Sequence, residues 1–274
     1  MNSKILLCAL LGVITGLSAC GRSGPEAPAN AESMPEPAVE PMPEAAVEVV
    51  DLRALLASES RPAEDRARDA GRKPADVIEF LGIESGMRVM DVYAAGGYYT
   101  EVLSLAVGPD GEVVAQNPPG LLQVRDGTYE KQISARLADG RLPNVSRLNA
   151  DFGEIGADAG TFDAAITALN FHDIYNRNGP EAAVAALKAV YGVLKPGGVL
   201  GIIDHVGNAD ADNAELHRIE KDIAVESAIA AGFVVEEESG LLHNADDDHT
   251  QRIFNEGIRG HTDRFALKLR KPVG

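Results

Sequence analysis

Short β-branched runs alternate with longer stretches of helical spacing along most of this chain. The short runs are bounded by turn-forming residues, which predicts buried strands joined by turns and helices. We expect strands at residues 89–92, 112–115, 145–148, 161–169, 199–203, 234–239 and 265–269. We expect helices at residues 51–58, 62–71, 74–81, 129–138 and 180–194, and another with Leu216, Ile219 and Ile223 on one face. Strands that alternate with helices predict a single α/β domain.

Residues 87–104 join the first predicted strand to a helix through a glycine turn at Gly96 and Gly97. Glycine lets a ligand approach the backbone closely, and the free N–H groups at the start of a helix favour polar or anionic groups. Asp91 adds a hydrogen-bond acceptor at the end of the strand. We interpret this segment as a candidate nucleotide site; the alternative is a tight turn that binds no ligand.

The turn resembles motif I of class I S-adenosylmethionine-dependent methyltransferases, in which an acid is followed by three alternating glycines. Gly97 matches the last of these glycines, Tyr93 and Ala95 stand at the other two positions, and Gly96 is an additional glycine. The resemblance implies that the cofactor is S-adenosylmethionine. The cofactor-binding residues that it implies here are Asp91, Ala95, Gly96 and Gly97.

The turn Leu-Lys-Pro-Gly-Gly at residues 194–198 is the most specific match to the same family. Nicotinamide-binding Rossmann domains do not characteristically carry it. The start of the domain also resembles a subgroup of exported, uncharacterised predicted methyltransferases of bacteria. The resemblance covers residues 61–272. It implies a Rossmann-like, doubly wound sheet of seven strands, mostly parallel with the last strand antiparallel.

Four further residues match cofactor positions of the family. Asn117 stands where an acid usually binds the ribose hydroxyls, and an amide can still donate and accept hydrogen bonds. Asp151 matches the residue that accepts from the adenine amine, and Phe152 offers a ring face to the adenine; a helix cap is the alternative role for Asp151. Asn170 matches the residue that lines the methionine end of the donor.

His172 and His205 are the candidate catalytic residues. They follow the fourth and fifth predicted strands, and ligands of open α/β sheets bind beyond the carboxyl ends of strands. One of them would act as a general base for the methyl acceptor, although an ordinary loop histidine is the alternative for each. We expect no metal, because the histidines and acids show no fixed ligand spacing. The acidic run 246–248 is more typical of a solvated loop.

The first 20 residues predict export. Lys4 precedes an apolar run too short for a stable membrane span, which is typical of a signal peptide. Leu-Ser-Ala-Cys at residues 17–20 resembles the bacterial lipobox, and the resemblance implies that Cys20 is lipidated; an ordinary cleaved signal is the alternative. Residues 21–48 are rich in Pro, Ala and Glu and predict a disordered tether before a domain at residues 49–274. We expect a lipid-anchored protein of the cell envelope that faces the periplasm.

The net charge of −17 argues against nucleic acid or an anionic membrane surface as an electrostatic partner. We therefore expect a small-molecule substrate, no nucleic acid, and membrane contact only through a lipid anchor. Three functions stay open at this point. The first is an S-adenosylmethionine-dependent methyltransferase, the second is a ligand-binding envelope lipoprotein that kept the fold and lost catalysis, and the third is a nicotinamide enzyme, which lacks its glycine fingerprint here.

Overall fold

The fold is seen in a computed structural model that describes residues 51–274. Seven strands form one sheet in the order β3-β2-β1-β4-β5-β7-β6. β1 pairs in parallel with β2 and β4, whereas β7 pairs antiparallel with both β5 and β6. The strands are β1 Arg88–Val92, β2 Glu112–Gln116, β3 Val145–Leu148, β4 Phe162–Ala168, β5 Leu194–His205, β6 Val234–Ser239 and β7 Arg264–Arg270. The predicted sheet with an antiparallel last strand is confirmed.

Nine α-helices accompany the sheet within residues 51–274. They are α1 Leu52–Leu56, α2 Ala63–Arg72, α3 Pro74–Leu81, α4 Tyr98–Val107, α5 Pro119–Leu137, α6 Phe171–Asn178, α7 Pro180–Val193, α8 Asn213–Leu216 and α9 Lys221–Ala231. None of the helices in this part of the chain is long and apolar enough to cross a bilayer.

The core lies on both faces of the sheet because successive strand side chains point to opposite sides. On β1, Val89 belongs to the cluster formed with α3 and α4, and Met90 belongs to the cluster formed with α7 and α9. Helix α3 packs especially close to the sheet. A Cβ placed on Gly201 of β5 would lie 2.5 Å from Cδ1 of Leu81, so only glycine allows this approach.

Three predicted elements differ from the structure. The helix expected through Leu216, Ile219 and Ile223 is broken, because His217 adopts a left-handed conformation (φ 55°) and Ile219 forms an isolated bridge with Val206, just after β5. Helix α6 was not predicted and follows β4 directly. Helix α5 starts ten residues earlier than predicted and is interrupted at residues 124–127 by non-helical backbone. The predicted signal, tether and Cys20 lie outside the described residues.

Candidate functional site

A cavity of about 950 Å³ lies at the carboxyl ends of β1, β4 and β5. Its wall includes Asp91 and residues 94–96 after β1, Asn170 after β4, and His205 at the end of β5. Helix α2 and the segment before it also line the cavity. The cavity therefore joins the glycine turn and one of the two candidate catalytic histidines.

The turn after β1 keeps a glycine-like backbone even where glycine is replaced. Tyr93 (φ 59°), Ala95 (φ 51°) and Gly97 (φ 82°) all have positive φ. These are the three positions of the alternating glycines of motif I. For Tyr93 and Ala95 this conformation costs on the order of 1 kcal/mol or more each, so the surrounding structure must hold it in place.

Three side-chain amides hold this turn. The backbone N–H of Tyr93 donates to Oε1 of Gln116 at 3.0 Å, and Nδ2 of Asn170 donates to the carbonyl of Tyr93 at 2.8 Å. The backbone N–H of Ala95 donates to Oδ1 of Asn117 at 2.8 Å, and Nδ2 of Asn117 donates back to the Ala95 carbonyl at 3.3 Å. Asn117 is fully buried and braces the turn with both ends of its amide. Sequence reasoning did not predict this role for Asn117.

Helix α5 covers one side of the glycine turn. Nε of Arg136 donates to the carbonyl of Gly96 at 3.0 Å. A Cβ on Gly96 would lie 2.3 Å from Oε1 of Gln132, so this side chain rests directly on the turn. Gly97 is the N-cap of α4, as predicted for a strand–turn–helix unit. The turn is therefore packed by protein on the α5 side and opens to the cavity on the other.

Asp91 is a buried carboxylate beside the turn, 3% exposed. The hydroxyl of Thr100 donates to its Oδ2 at 2.6 Å. Burial raises the pKa of Asp91 to about 7, against the lowering effect of the Thr100 hydrogen bonds and of Arg136 and Arg72. A cationic ligand group in the cavity would favour the ionised form of this carboxyl.

Asp151 and Phe152, the two residues predicted to contact the adenine, lie outside the cavity wall. Asp151 is exposed and precedes a 3₁₀-helix, and it accepts a backbone hydrogen bond from Glu154 through its carbonyl oxygen. The ring of Phe152 is parallel to that of Tyr93, with 6.4 Å between centroids and 6° between planes. Phe152 therefore presents its ring beside the motif I turn.

The two candidate catalytic histidines lie together. The ring centroids of His172, on α6, and His205 are 5.7 Å apart. The Asp204 carboxylate holds both residues. It accepts the Nδ1–H of His172 at 2.7 Å. It also accepts the backbone N–H groups of His172 and His205, at 2.7 and 2.8 Å. Of the two rings, His205 lines the cavity.

The environment drives the pKa values of the two rings apart. Burial disfavours the charged form of His172, but the attraction of Asp204 outweighs it and raises the pKa. Burial and the neighbouring His172 lower the pKa of His205 well below its usual value. Nδ1 of His205 shares a hydrogen bond of 2.7 Å with the hydroxyl of Thr262. His205 is therefore a neutral imidazole at neutral pH.

A third histidine near these two, His217, was missed from the sequence. The ring of His217 lies 5.7 Å from that of His172, and Asp173 lies between them, 3.8 Å from Nε2 of His172 and 3.5 Å from Nδ1 of His217. Burial lowers the pKa of His217 despite the attraction of Asp173. His217 ends the short helix α8, and no local sequence pattern indicated that it lies beside His172.

The charged residues of α2 form one wall of the cavity. Arg and Asp at spacings of three and four are typical of a solvated helix face, yet Arg66, Arg68 and Arg72 line the cavity and Asp65 is buried. The guanidinium of Arg72 lies 4.3 Å from the Tyr98 ring centroid, and no acidic side chain within residues 51–274 forms an ion pair with it. Burial lowers the pKa of Arg72. The cavity thus holds a cation that has no partner carboxylate in the described chain.

The fold is shared with known proteins. A SAM-dependent methyltransferase from Aquifex aeolicus superposes with a TM-score of 0.54 at 20% identity, over 72% of this chain and 89% of that one. The [4+2]-cyclase SpnF superposes with a TM-score of 0.56 at 20% identity, over 75% of this chain and 82% of that one. The chain has the class I methyltransferase fold. Because one neighbour is named a cyclase, this fold alone does not fix the reaction.

Sequence relatives point to the same group of enzymes. The chain is 28% identical over 193 residues to the ubiquinone/menaquinone biosynthesis C-methyltransferase UbiE of Pseudomonas aeruginosa, and 27% identical over 191 residues to that of Idiomarina loihiensis. Each alignment covers 70% of this chain, but only 65% and 66% of the respective relative. The chain therefore matches slightly less than two thirds of these relatives. No protein-family model matches the chain.

Proposed function

We propose that this protein is an S-adenosylmethionine-dependent methyltransferase that acts on a small-molecule acceptor in the cell envelope. The observation that carries the proposal is the single cavity lined by the motif I turn and by His205. Its turn keeps positive φ at all three glycine positions of the motif, although two of the glycines are absent. A strained backbone held by three amides is expected where a ligand site, and not only folding, depends on it.

The residues of the cavity suit the charged end of the donor. Asp91 offers a carboxylate for its ammonium group, and Arg72, which has no carboxylate partner within residues 51–274, offers a guanidinium for its carboxylate. Asn170 lines the same wall, which agrees with the position implied by the family resemblance. S-adenosylmethionine, when bound, supplies an electrophilic methyl group for transfer.

The acceptor would meet the donor beside His205. Methyl transfer is an in-line displacement, so the protein contributes chiefly by aligning the two reactants and by accepting a proton. His205 lines the cavity and is buried, and Asp204 fixes its backbone. A cavity of about 950 Å³ has room for a small molecule beside the donor. Because the relatives are named C-methyltransferases, an activated carbon is one candidate for the acceptor atom. An oxygen or a sulfur atom is another.

A ligand-binding lipoprotein without catalysis is the second candidate. Gln132 and Arg136 pack against Gly96, and the Asn117 amide is already used by Ala95. These contacts reduce the surface that the turn offers to a donor. They favour a protein that kept the scaffold of the cofactor site after the reaction was lost.

Calorimetric titration with S-adenosylhomocysteine, the demethylated donor, tests the donor site. We expect one molecule bound per wild-type chain. Gly96→Val should abolish binding because the branched side chain would overlap Gln132, which rests on the turn and lines the cavity, and would displace the turn or this side chain into the cavity. Gly240→Val is the matched control: Gly240 is exposed, its φ is not positive, and an added Cβ would contact nothing.

Transfer is then tested with methyl-labelled S-adenosylmethionine and a panel of small hydroquinones, phenols and thiols. For an accepted compound, His205→Asn should lower turnover by a factor on the order of 10² to 10⁴ and leave donor affinity nearly unchanged. Binding of the demethylated donor without transfer to any compound would favour the second candidate. No binding at all by the wild-type protein would refute the donor site itself.

A further inference from the structure

The strongest cluster of metal-ligating side chains in the described chain lies next to, but not within, the cavity wall. His172, Asp173 and His217 each offer one ligand atom, and these atoms all lie within 4.8 Å of one another. Nε2 of His172 and Nδ1 of His217 both face Oδ1 of Asp173, at 3.8 and 3.5 Å. Two ligands on one zinc ion stand about 3.3 Å apart when each bond is ~2.0–2.1 Å and the angles are tetrahedral. Small side-chain shifts would therefore bring the three atoms to bonding distance.

Asp204 prepares His172 for this role. It is fully buried and accepts the Nδ1–H of His172 at 2.7 Å, which leaves Nε2 as the nitrogen with the free lone pair. The backbone N–H of His172 also donates to Asp204, so both the ring and its helix are fixed. Metal-ligating histidines characteristically donate their other ring nitrogen to such a carboxylate. This contact is independent of the cluster and points to the same ligand atom.

We propose that His172, Asp173 and His217 bind a first-row divalent transition metal ion. Two imidazoles and one carboxylate form a ligand set that suits zinc or iron(II) and leaves further positions open. Arg177 donates to Oδ1 of Asp173 at 3.2 Å, but its side chain is 55% exposed and is free to move away when an ion arrives. The proposal departs from the expectation of no metal, which rested on linear spacing.

The ion would lie beside the acceptor end of the cavity. The His217 ring packs against Phe254 with 4.8 Å between centroids, and the His172 ring packs against His205 at 5.7 Å. Phe254 and His205 both line the cavity. A metal with open coordination positions at this place could bind or polarise a polar group of the acceptor. The binding site itself does not depend on the proposed methyl transfer.

Zinc binding to the purified full-length protein tests the site with no donor or acceptor present. After treatment with a chelator and titration with Zn²⁺, we expect one ion per chain by calorimetry and by elemental analysis. His217→Asn should weaken the affinity at least about tenfold, because the amide is a poorer ligand than imidazole. Asparagine tolerates the left-handed backbone of residue 217 (φ 55°), so the fold should persist. Asp173→Asn should have a similar effect on affinity.

His261→Asn is the matched control, since His261 is exposed and distant in sequence from the cluster. It should bind zinc as the wild type does. Circular dichroism melting of each variant separates lost binding from lost folding. Replacing Zn²⁺ with Co²⁺ should give visible d–d bands in the wild type that are absent in His217→Asn. Absence of stoichiometric binding by the wild type, or equal affinity in a folded His217→Asn protein, would overturn the proposal.

Discussion

At Tyr93 and Ala95 the glycines of motif I are replaced, but the backbone conformation of the motif is kept. Both residues stand at glycine positions of motif I, and both keep the positive φ that glycine would adopt freely. The amides of Gln116, Asn117 and Asn170 hold this backbone through four hydrogen bonds. The degenerate sequence alone therefore understates how well the turn is preserved.

The ionised Asp91 carboxylate should lower the stability of the folded protein while it contributes to ligand binding. Its pKa of about 7 in the folded protein is above the value near ~3.9 of an exposed aspartate, so the folded state binds more protons between these values. Its contribution to stability is fully present below about pH 4 and is lost as the pH rises through about 7. Asp91→Asn should remove this dependence and raise the free energy of unfolding at pH 8, by up to a few kcal/mol at ~1.4 kcal/mol per pKa unit.

Urea unfolding of wild type and Asp91→Asn at pH 5 and pH 8 measures this effect. The difference between the two proteins should be larger at pH 8 than at pH 5. The same variant should bind S-adenosylhomocysteine about tenfold more weakly, because the donor ammonium loses its counter-charge. Equal stability gaps at both pH values would contradict the raised pKa, and unchanged affinity would remove Asp91 from the ligand site.

At the scale of elements, the hydrophobic pattern predicted most of the sheet, but it did not predict the local turns that position the polar residues of the candidate site. Helix α3 matched its predicted bounds and β3 and β6 did too, since each has clear turn residues on both sides. Helix α6 was missed because Asn170, His172 and Asp173 carry polar side chains that are typical of a loop after β4. Those side chains are satisfied by tertiary partners such as Asp204, which no local pattern reveals.

The break at His217 was hidden for a related reason. Leu216, Ile219 and Ile223 have helical spacing, but Arg218 between them is fully buried. Its guanidinium forms two hydrogen bonds of 2.9 Å to Asp247. The acidic run 246–248, which the sequence suggested to be solvated, thus contributes a buried ion pair. Long-range pairing of opposite charges overrides the helical period here.

A buried ion network joins three helices around the glycine turn. Glu101 on α4 is 1% exposed and accepts from Arg136 of α5 and from Arg141, and Arg136 also pairs with Asp65 of α2 at 2.6 Å. Arg136 donates to Gly96 as well, so the network positions the turn. Removing one partner from such a network leaves buried charge uncompensated.

Glu101→Gln should therefore lower the free energy of unfolding by about 3–5 kcal/mol in urea denaturation. The control Glu238→Gln breaks the exposed pair with Lys221, whose side chains are 45% and 39% exposed, and should cost less than about 1 kcal/mol. Similar losses in the two variants would mean that the buried network has no special role in stability.

At the scale of the whole molecule, charge is distributed unevenly. The chain carries 42 acidic and 25 basic residues, yet the cavity wall holds Arg66, Arg68 and Arg72 of α2, the last without a carboxylate partner among residues 51–274. An acidic exterior repels nucleic acid and anionic lipid, while a basic cavity wall attracts a small anionic group. We propose that the protein resides at a membrane through hydrocarbon and not through surface charge.

Cys20 is the residue that would carry this hydrocarbon. It follows Leu-Ser-Ala and precedes the Pro/Ala/Glu-rich segment 21–48, so the proposed anchor is an acylated N-terminal cysteine facing the periplasm. One acyl chain gives only marginal binding, and the two or more chains of a bacterial lipoprotein would hold the domain firmly.

Cells grown with radioactive palmitate should label the wild type and not Cys20→Ser, and only the wild type should sediment with membranes. Cys8→Ser is the matched control and should be labelled as the wild type is. An unlabelled wild type, or a Cys20→Ser protein that still sediments with membranes, would show that the anchor lies elsewhere.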